Sequence, residues 1–207
     1  MRIVKPLTTT MDPHNRYTSR LHFRNGVVRD FYMRGAIAFP NGKKEGFAVM
    51  AGVDLETGFI IIFEQFRYWT ISHWLNDDGT IHEREDGGYY LGLIQFITDN
   101  LSLYQCGSYY WGGQHIDVWT RHATALYDIA PSRLELIEVP YVALNGLDLL
   151  HAKIKTHGFR ADTDSVLDQS ITQFVNMQTT NADYDNAALC LMILLSGFEF
   201  QPWMKTN

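Results

Sequence analysis

Two carboxylates, Asp54 and Glu56, stand two residues apart just after the apolar run Phe47–Val53. At the end of a strand that spacing puts both on one side. There they could share a divalent cation, Mg²⁺ or Mn²⁺, that activates water for phosphodiester cleavage. The same stretch, Asp54-Leu55-Glu56-Thr57-Gly58, also suits a hairpin loop. In that reading the aspartate bonds the backbone ahead of it and glycine takes the positive φ. The immediate return into Phe59–Phe63 favours the loop. A second cluster is aromatic: Tyr109, Tyr110 and Trp111 before Gly112-Gly113, then His115, Trp119 and His122. Such rings fill a core at a tight turn, form a contact patch, or wall a small-molecule pocket between sheet and helices. A third set is cationic: Arg20, Arg24, Arg29 and Arg34, placed at strand spacing.

Two short resemblances follow from these residues. Asp54-x-Glu56-Thr57 after an apolar strand resembles the first metal-binding motif of DEDD-type 3′–5′ exonucleases. That resemblance implies two further aspartates, for which Asp117 and Asp185 are available, and a His or Tyr near the last. Tyr184 is directly beside Asp185, which departs from the family's spacing. Tyr109-Tyr110-Trp111-Gly112-Gly113 is similar to the segment before the nucleophile of NlpC/P60-type cysteine peptidases. Residues 114–119 hold no cysteine, so that covalent chemistry is excluded. No Gly-x-x-x-x-Gly-Lys, no Gly-x-Gly-x-x-Gly after a strand and no Gly-x-Ser-x-Gly is present.

The histidines do not make a metal centre by spacing. On a helix, His115 and His122 would lie about 10 Å apart along the axis, too far to share one ion. His151 falls on an apolar helical face and reads as a core histidine. Asp77, Asp78, Glu83, Glu85 and Asp86 form an acidic stretch around His82 and Arg84, and five aspartates lie between Asp162 and Asp185 without Lys or Arg. These are solvated loops, or surfaces that mimic nucleic acid or grip a basic partner.

Charge is unevenly divided. Through Lys44 there are nine basic residues against Asp12 and Asp30, a balance of +7; the remaining residues carry −13. Either a folded basic face meets acidic segments of this chain or a second copy, or it meets nucleic acid. Cys106 and Cys190 suggest no disulfide framework, and no apolar run reaches the roughly 20 residues of a membrane span. These features lead us to expect a cytoplasmic protein with no membrane association.

The elements that would position these residues change character near Gly88. Before it, strand-like runs alternate with turn signals: Leu21–Arg24 and Val27–Met33 about Asn25-Gly26, Ala36–Phe39 and Phe47–Val53 about Pro40-Asn41-Gly42, then Phe59–Phe63 and Tyr68–Leu75. After it, apolar residues recur at helical spacing: Tyr90 to Tyr104 with Gly107 as C-cap, Ile116 to Leu126, Leu147 to Ile154, and Leu167 to Gln178. Leu134–Val139 reads as one further strand, and Ala187–Leu195 as a buried helix ending at Gly197. The expectation is α+β: an antiparallel meander over about residues 20–85 packed on C-terminal helices, with an extended arm over 1–19 and one domain over 20–207. With no coherent catalytic set, the first functional expectation is a non-enzymatic interaction or regulatory protein without a cofactor. It would bind a protein partner, or itself, through aromatic and charged surfaces. An accessory protein of a virus or mobile element fits that description. The metal-dependent nuclease and the small-molecule binder are the alternatives.

Overall fold

The structure, a computed structural model, describes residues 3–13, 15–40, 44–112, 116–139, 152, 159–160 and 186–200. Five strands form an antiparallel meander: β1 (Thr8–Asp12), β2 (Asn15–His22), β3 (Val28–Ala38), β4 (Gly46–Asp54) and β5 (Ile60–Tyr68). Three further strands, β6 (Ser108–Trp111), β7 (Glu135–Glu138) and β8 (Phe159–Arg160), extend the sheet, and three helices are described: α1 (Leu93–Tyr104), α2 (Ile116–Ile129) and α3 (Asn186–Phe200). The α+β class expected from the sequence is what the chain adopts.

Register places the two central strands. β3 pairs β4 from Phe31↔Asp54 to Ala38↔Phe47, and every residue of β4 is buried. Successive residues of a strand face opposite sides. Phe31 and Gly35 look toward α1, by way of Phe63, Tyr104 and the Tyr109–Phe96 ring pair. Tyr32 and Ala36 look toward α3, where Phe198 meets the Tyr32 ring and the Cys190 thiol donates to Ala36 O at 3.2 Å. Both faces of the centre are therefore covered, and its strands read as apolar runs without alternation.

The other edge of β3 is forked. β2 pairs its first half, Val28–Tyr32, and β6 pairs its second half in parallel, from Gly35↔Tyr109 to Ile37↔Trp111. β7 continues in parallel beside β6, with α2 as the crossover between them. A parallel neighbour requires such a crossover.

Several expectations shift. The stretch read as an extended arm is partly tied to the sheet at Thr8–Asp12, where the β-branched threonines pair with β2. Ala36–Phe39 is no separate strand, because Gly35 is a close-approach glycine inside β3: a Cβ there would sit 2.1 Å from the Tyr109 ring. The Asn25-Gly26 turn has three loop residues, not two. Only Gly26 has positive φ, while the Phe23 N–H donates to Val27 O. The α1 C-cap is Gln105 at φ 57, two residues before Gly107. Tyr68–Leu75 is not a strand; β5 ends at Tyr68. Gly197 does not stop α3, which runs on to Phe200. The Asn41-Gly42 turn, the helical faces over 147–154 and 167–178, and the acidic run 162–185 lie outside the described residues.

Candidate functional site

Asp54 closes a four-residue hairpin loop. The Asp54 N–H donates to Phe59 O, the Gly58 N–H donates to Asp54 O at 2.8 Å, and Gly58 takes φ 72. The Asp54 carboxylate is fully engaged. Oδ1 accepts the N–H groups of Glu56 at 2.9 Å and Thr57 at 3.3 Å, and Oδ2 accepts Arg29 Nη1 at 2.5 Å. Burial alone would raise this carboxyl's pKa. The hydrogen bonds from Glu56, Arg29 and Thr57 outweigh it and hold the group below the usual carboxylate range. Glu56 lies exposed, 3.8 Å from the same guanidinium. Arg29 thus occupies the position beside both carboxylates where a shared cation would sit. Among the described residues no group of three or more His, Cys, Asp or Glu side chains converges to hold a metal ion. The Asp117 side chain and Asp185, the other two aspartates of the nuclease expectation, lie outside the described residues.

The aromatic cluster is core. Tyr109, Tyr110 and Trp111 form β6, interior to the sheet, where an unbroken aromatic run suits a strand covered on both faces. Trp119 is buried against Phe39, and His122, half-buried, stacks on that same ring at 5.5 Å. Burial pushes the His122 pKa down. These rings therefore present no contact patch. His115 is outside the described residues.

The arginines are mostly satisfied from within. Arg20 forms a two-bond pair with Asp30 directly across β2–β3, at 2.8 and 2.9 Å. Arg16 bonds Glu135 on β7 at 2.9 Å, and Lys5 meets Glu64 at 2.6 Å. Arg34, at 1% exposure, lies at the fork with its guanidinium 3.6 Å from the Tyr17 ring centroid and 4.6 Å from that of Tyr32. Ring faces take the place of an acid there. Arg24, in the β2–β3 turn, has no ion pair among the described residues.

The exposed aromatic surface is elsewhere, in the arm of residues 69–92 between β5 and α1. Two tight turns, 76–80 and 84–88, repeat the construction of the Phe23–Val27 turn. In each an Asx residue precedes a glycine near φ 80, and its Oδ1 accepts the N–H two residues on: Asn25 from Val27, Asp78 from Thr80 and Asp86 from Gly88. Bridges Leu75↔Ile81 and Glu83↔Tyr89 join the three short limbs. The base is clamped to α1: the Leu93 and Ile94 N–H groups, which a helix start leaves unpaired, donate to Thr70 O and Ile71 O at 3.0 Å. On this frame His82 stacks with both Trp74 and Tyr90, and those two rings meet at a tilt, with centroids 5.1–5.5 Å apart. Trp69, Trp74, Leu75 and Tyr89 are 50–57% exposed. Five carboxylates share the arm with one cation, Arg84, which pairs with Asp86 and lies 5.8 Å from the Tyr90 centroid.

The acidic half of this site was visible in the sequence; its aromatic half was missed by taking Tyr68–Leu75 as a strand. The available signal was the pair Asp78-Gly79 and Asp86-Gly87, eight residues apart. Limbs that short cannot bury two tryptophans. No protein-family model matches the chain, and no curated protein matches it either.

Proposed function

We propose that this chain is a non-enzymatic binding protein that holds a basic segment of a partner protein on the arm of residues 69–92. The observation that supports this reading is the half-exposure of Trp69, Trp74, Leu75 and Tyr89 on a frame carrying five carboxylates. Large rings beside carboxylates suit Lys and Arg side chains, through cation–π contact on the ring faces and charge-assisted hydrogen bonds at the oxygens. The turns and the clamp to α1 fix the arm beforehand, which lowers the ordering cost of binding. Self-association is the weaker version of this reading, since Lys5, Arg16, Arg20 and Arg29 already pair within the chain.

The test is fluorescence anisotropy with a labelled Lys/Arg-rich peptide, against a Glu-rich peptide of equal length. The basic peptide binds and the acidic one does not, and affinity falls as salt rises. Trp74→Ala weakens binding by about 30-fold, as a hot-spot ring of roughly 2 kcal/mol would. Tyr89→Ala, which disturbs no ring stack in the arm, weakens it as well. Absence of binding at low salt, or equal binding of the two peptides, sinks the proposal.

A further inference from the structure

At the far end of the sheet from Trp111, on the face that α1 covers further along, a groove of about 510 Å³ stays open. That volume lies within the range of small-molecule sites. Its floor is built from rings. Phe31 stands edge-on to Phe63 at 5.2 Å and to Phe23 at 6.5 Å, and the half-buried Phe59 and Ile61 continue it along β5. Ile3 and Val4 cross it as a wall, with Val4 largely exposed.

The rim is polar and unevenly charged. Among the described residues three ionisable side chains line the groove: Arg29, Asp54 and Arg160. The first two are bound to each other. Arg160 is different. Its strand, β8, pairs in parallel with β5 at Ile61↔Arg160, so both side chains emerge on the groove face. Its guanidinium lies 4.7 Å from the Phe59 ring centroid and has no ion pair among the described residues. A ring contact of this kind holds the planar cation in place and leaves N–H edges for a planar anion.

We propose that this groove binds a free amphipathic monocarboxylate, its hydrocarbon body on the phenylalanine floor and its carboxylate on Arg160. One guanidinium with one net positive charge at the rim matches a single carboxylate, which it takes through two parallel N–H···O bonds. Phosphate is disfavoured: among the described residues the groove has one cation without an ion pair and no helix start in its lining. A partner strand is disfavoured too, because β8 already occupies the β5 edge at Ile60–Ile61. This site is separate from the arm of residues 69–92 and stands or falls independently of it.

The experiment is calorimetric titration of the full chain with octanoate, 1-octanol, acetate and inorganic phosphate, in parallel with NMR of the backbone amides. Octanoate binds saturably and shifts the amides of residues 59–63 and 160, octanol binds more weakly, and acetate and phosphate give no saturable heat. Arg160→Gln, an exposed change that leaves the melting temperature unaltered, weakens octanoate at least about tenfold and leaves octanol unchanged. Ile61→Asn weakens both, which places the body on the floor. Failure of octanoate to saturate overturns the proposal. So does octanoate binding that Arg160→Gln leaves intact, or phosphate binding that competes with it.

Discussion

Replacing Asp54 by alanine separates a carboxylate that builds a loop from one that holds a cation. The side chain is 3% exposed, accepts two backbone N–H groups and bonds Arg29 at 2.5 Å. Losing a carboxylate that caps backbone N–H groups costs about 0.5–2 kcal/mol. The ion pair adds less than a buried one would. Arg29 is 38% exposed and rehydrates when its partner is gone, so the pair adds little to the backbone bonds. Asp54→Ala should therefore lose about 0.5–2 kcal/mol in urea unfolding at pH 7, and Asp54→Asn less, because the amide oxygen keeps the backbone bonds. The pH dependence has a definite sign. The folded carboxyl titrates below its ordinary value, so its stabilisation is complete above the unfolded pKa and disappears as pH falls through the folded one. The gap between wild type and Asp54→Ala should close in acid. Suppose instead that Asp54→Ala unfolds at the wild-type urea concentration, and that Mg²⁺ or Mn²⁺ raises the melting temperature of the wild type alone. The carboxylate would then be a metal ligand, and the loop argument would be wrong.

Two further outcomes follow from packing and titration. In a helix interior Gly→Ala ordinarily gains about 0.5–1 kcal/mol, but a Cβ at Gly197 would lie 2.3 Å from the buried Tyr110 ring. Gly197→Ala should instead lose about 1–3 kcal/mol through overpacking; Tyr110→Leu in the same chain should recover part of it, and a higher melting temperature for the single variant contradicts the packing. His122 titrates below its ordinary value because burial disfavours the charged form. The unfolded chain then binds the proton more readily, so stability present above the unfolded pKa falls as pH drops below it. Melting curves from pH 7.5 to 5.5 should show His122→Gln losing less than wild type, and parallel slopes would show that the ring is solvated.

The sequence made the outer architecture legible because each signal there is local. Asn25-Gly26 marks a hairpin, Phe47–Val53 is a β-rich run, and Ile94, Ile97, Leu101 and Tyr104 share one helical face. The fork was not legible. Whether Tyr109-Tyr110-Trp111 is a loop or a strand depends on a parallel pairing with Gly35–Ile37, more than seventy positions away. Its steric cause, two glycines set against two consecutive tyrosines on opposite faces of β6, appears only once β3, β6 and α3 meet. Gly35 and Gly197 read locally as a strand break and a helix stop. Both are instead places where a ring needs the room of a missing Cβ. The same long-range dependence misplaced the candidate site, because strand-type residues in Tyr68–Leu75 say nothing about whether a sheet edge is there to receive them.

The distribution of charge, rather than its total, decides which partner chemistry is open to the described surface. Among the described residues much of the N-terminal excess is paired across long sequence distances, Lys5 with Glu64, Arg16 with Glu135 and Arg29 with Asp54, while Arg34 is sealed among tyrosines at the fork and Arg24 has no ion pair. A surface built to follow a phosphate backbone would leave these cations unpaired, because releasing counterions requires cations free to replace them. The acids of the arm are treated in the opposite way. Asp86 alone is paired, and Asp77, Asp78, Glu83 and Glu85 have no ion pair among the described residues, beside rings left half in solvent. Unpaired carboxylates on a pre-formed frame attract cations at long range and hydrogen-bond them at short range. Among the described residues the N-terminal cations are thus mostly paired and the acids of the arm mostly are not, which is in keeping with the proposed basic polypeptide rather than nucleic acid as the ligand of the arm.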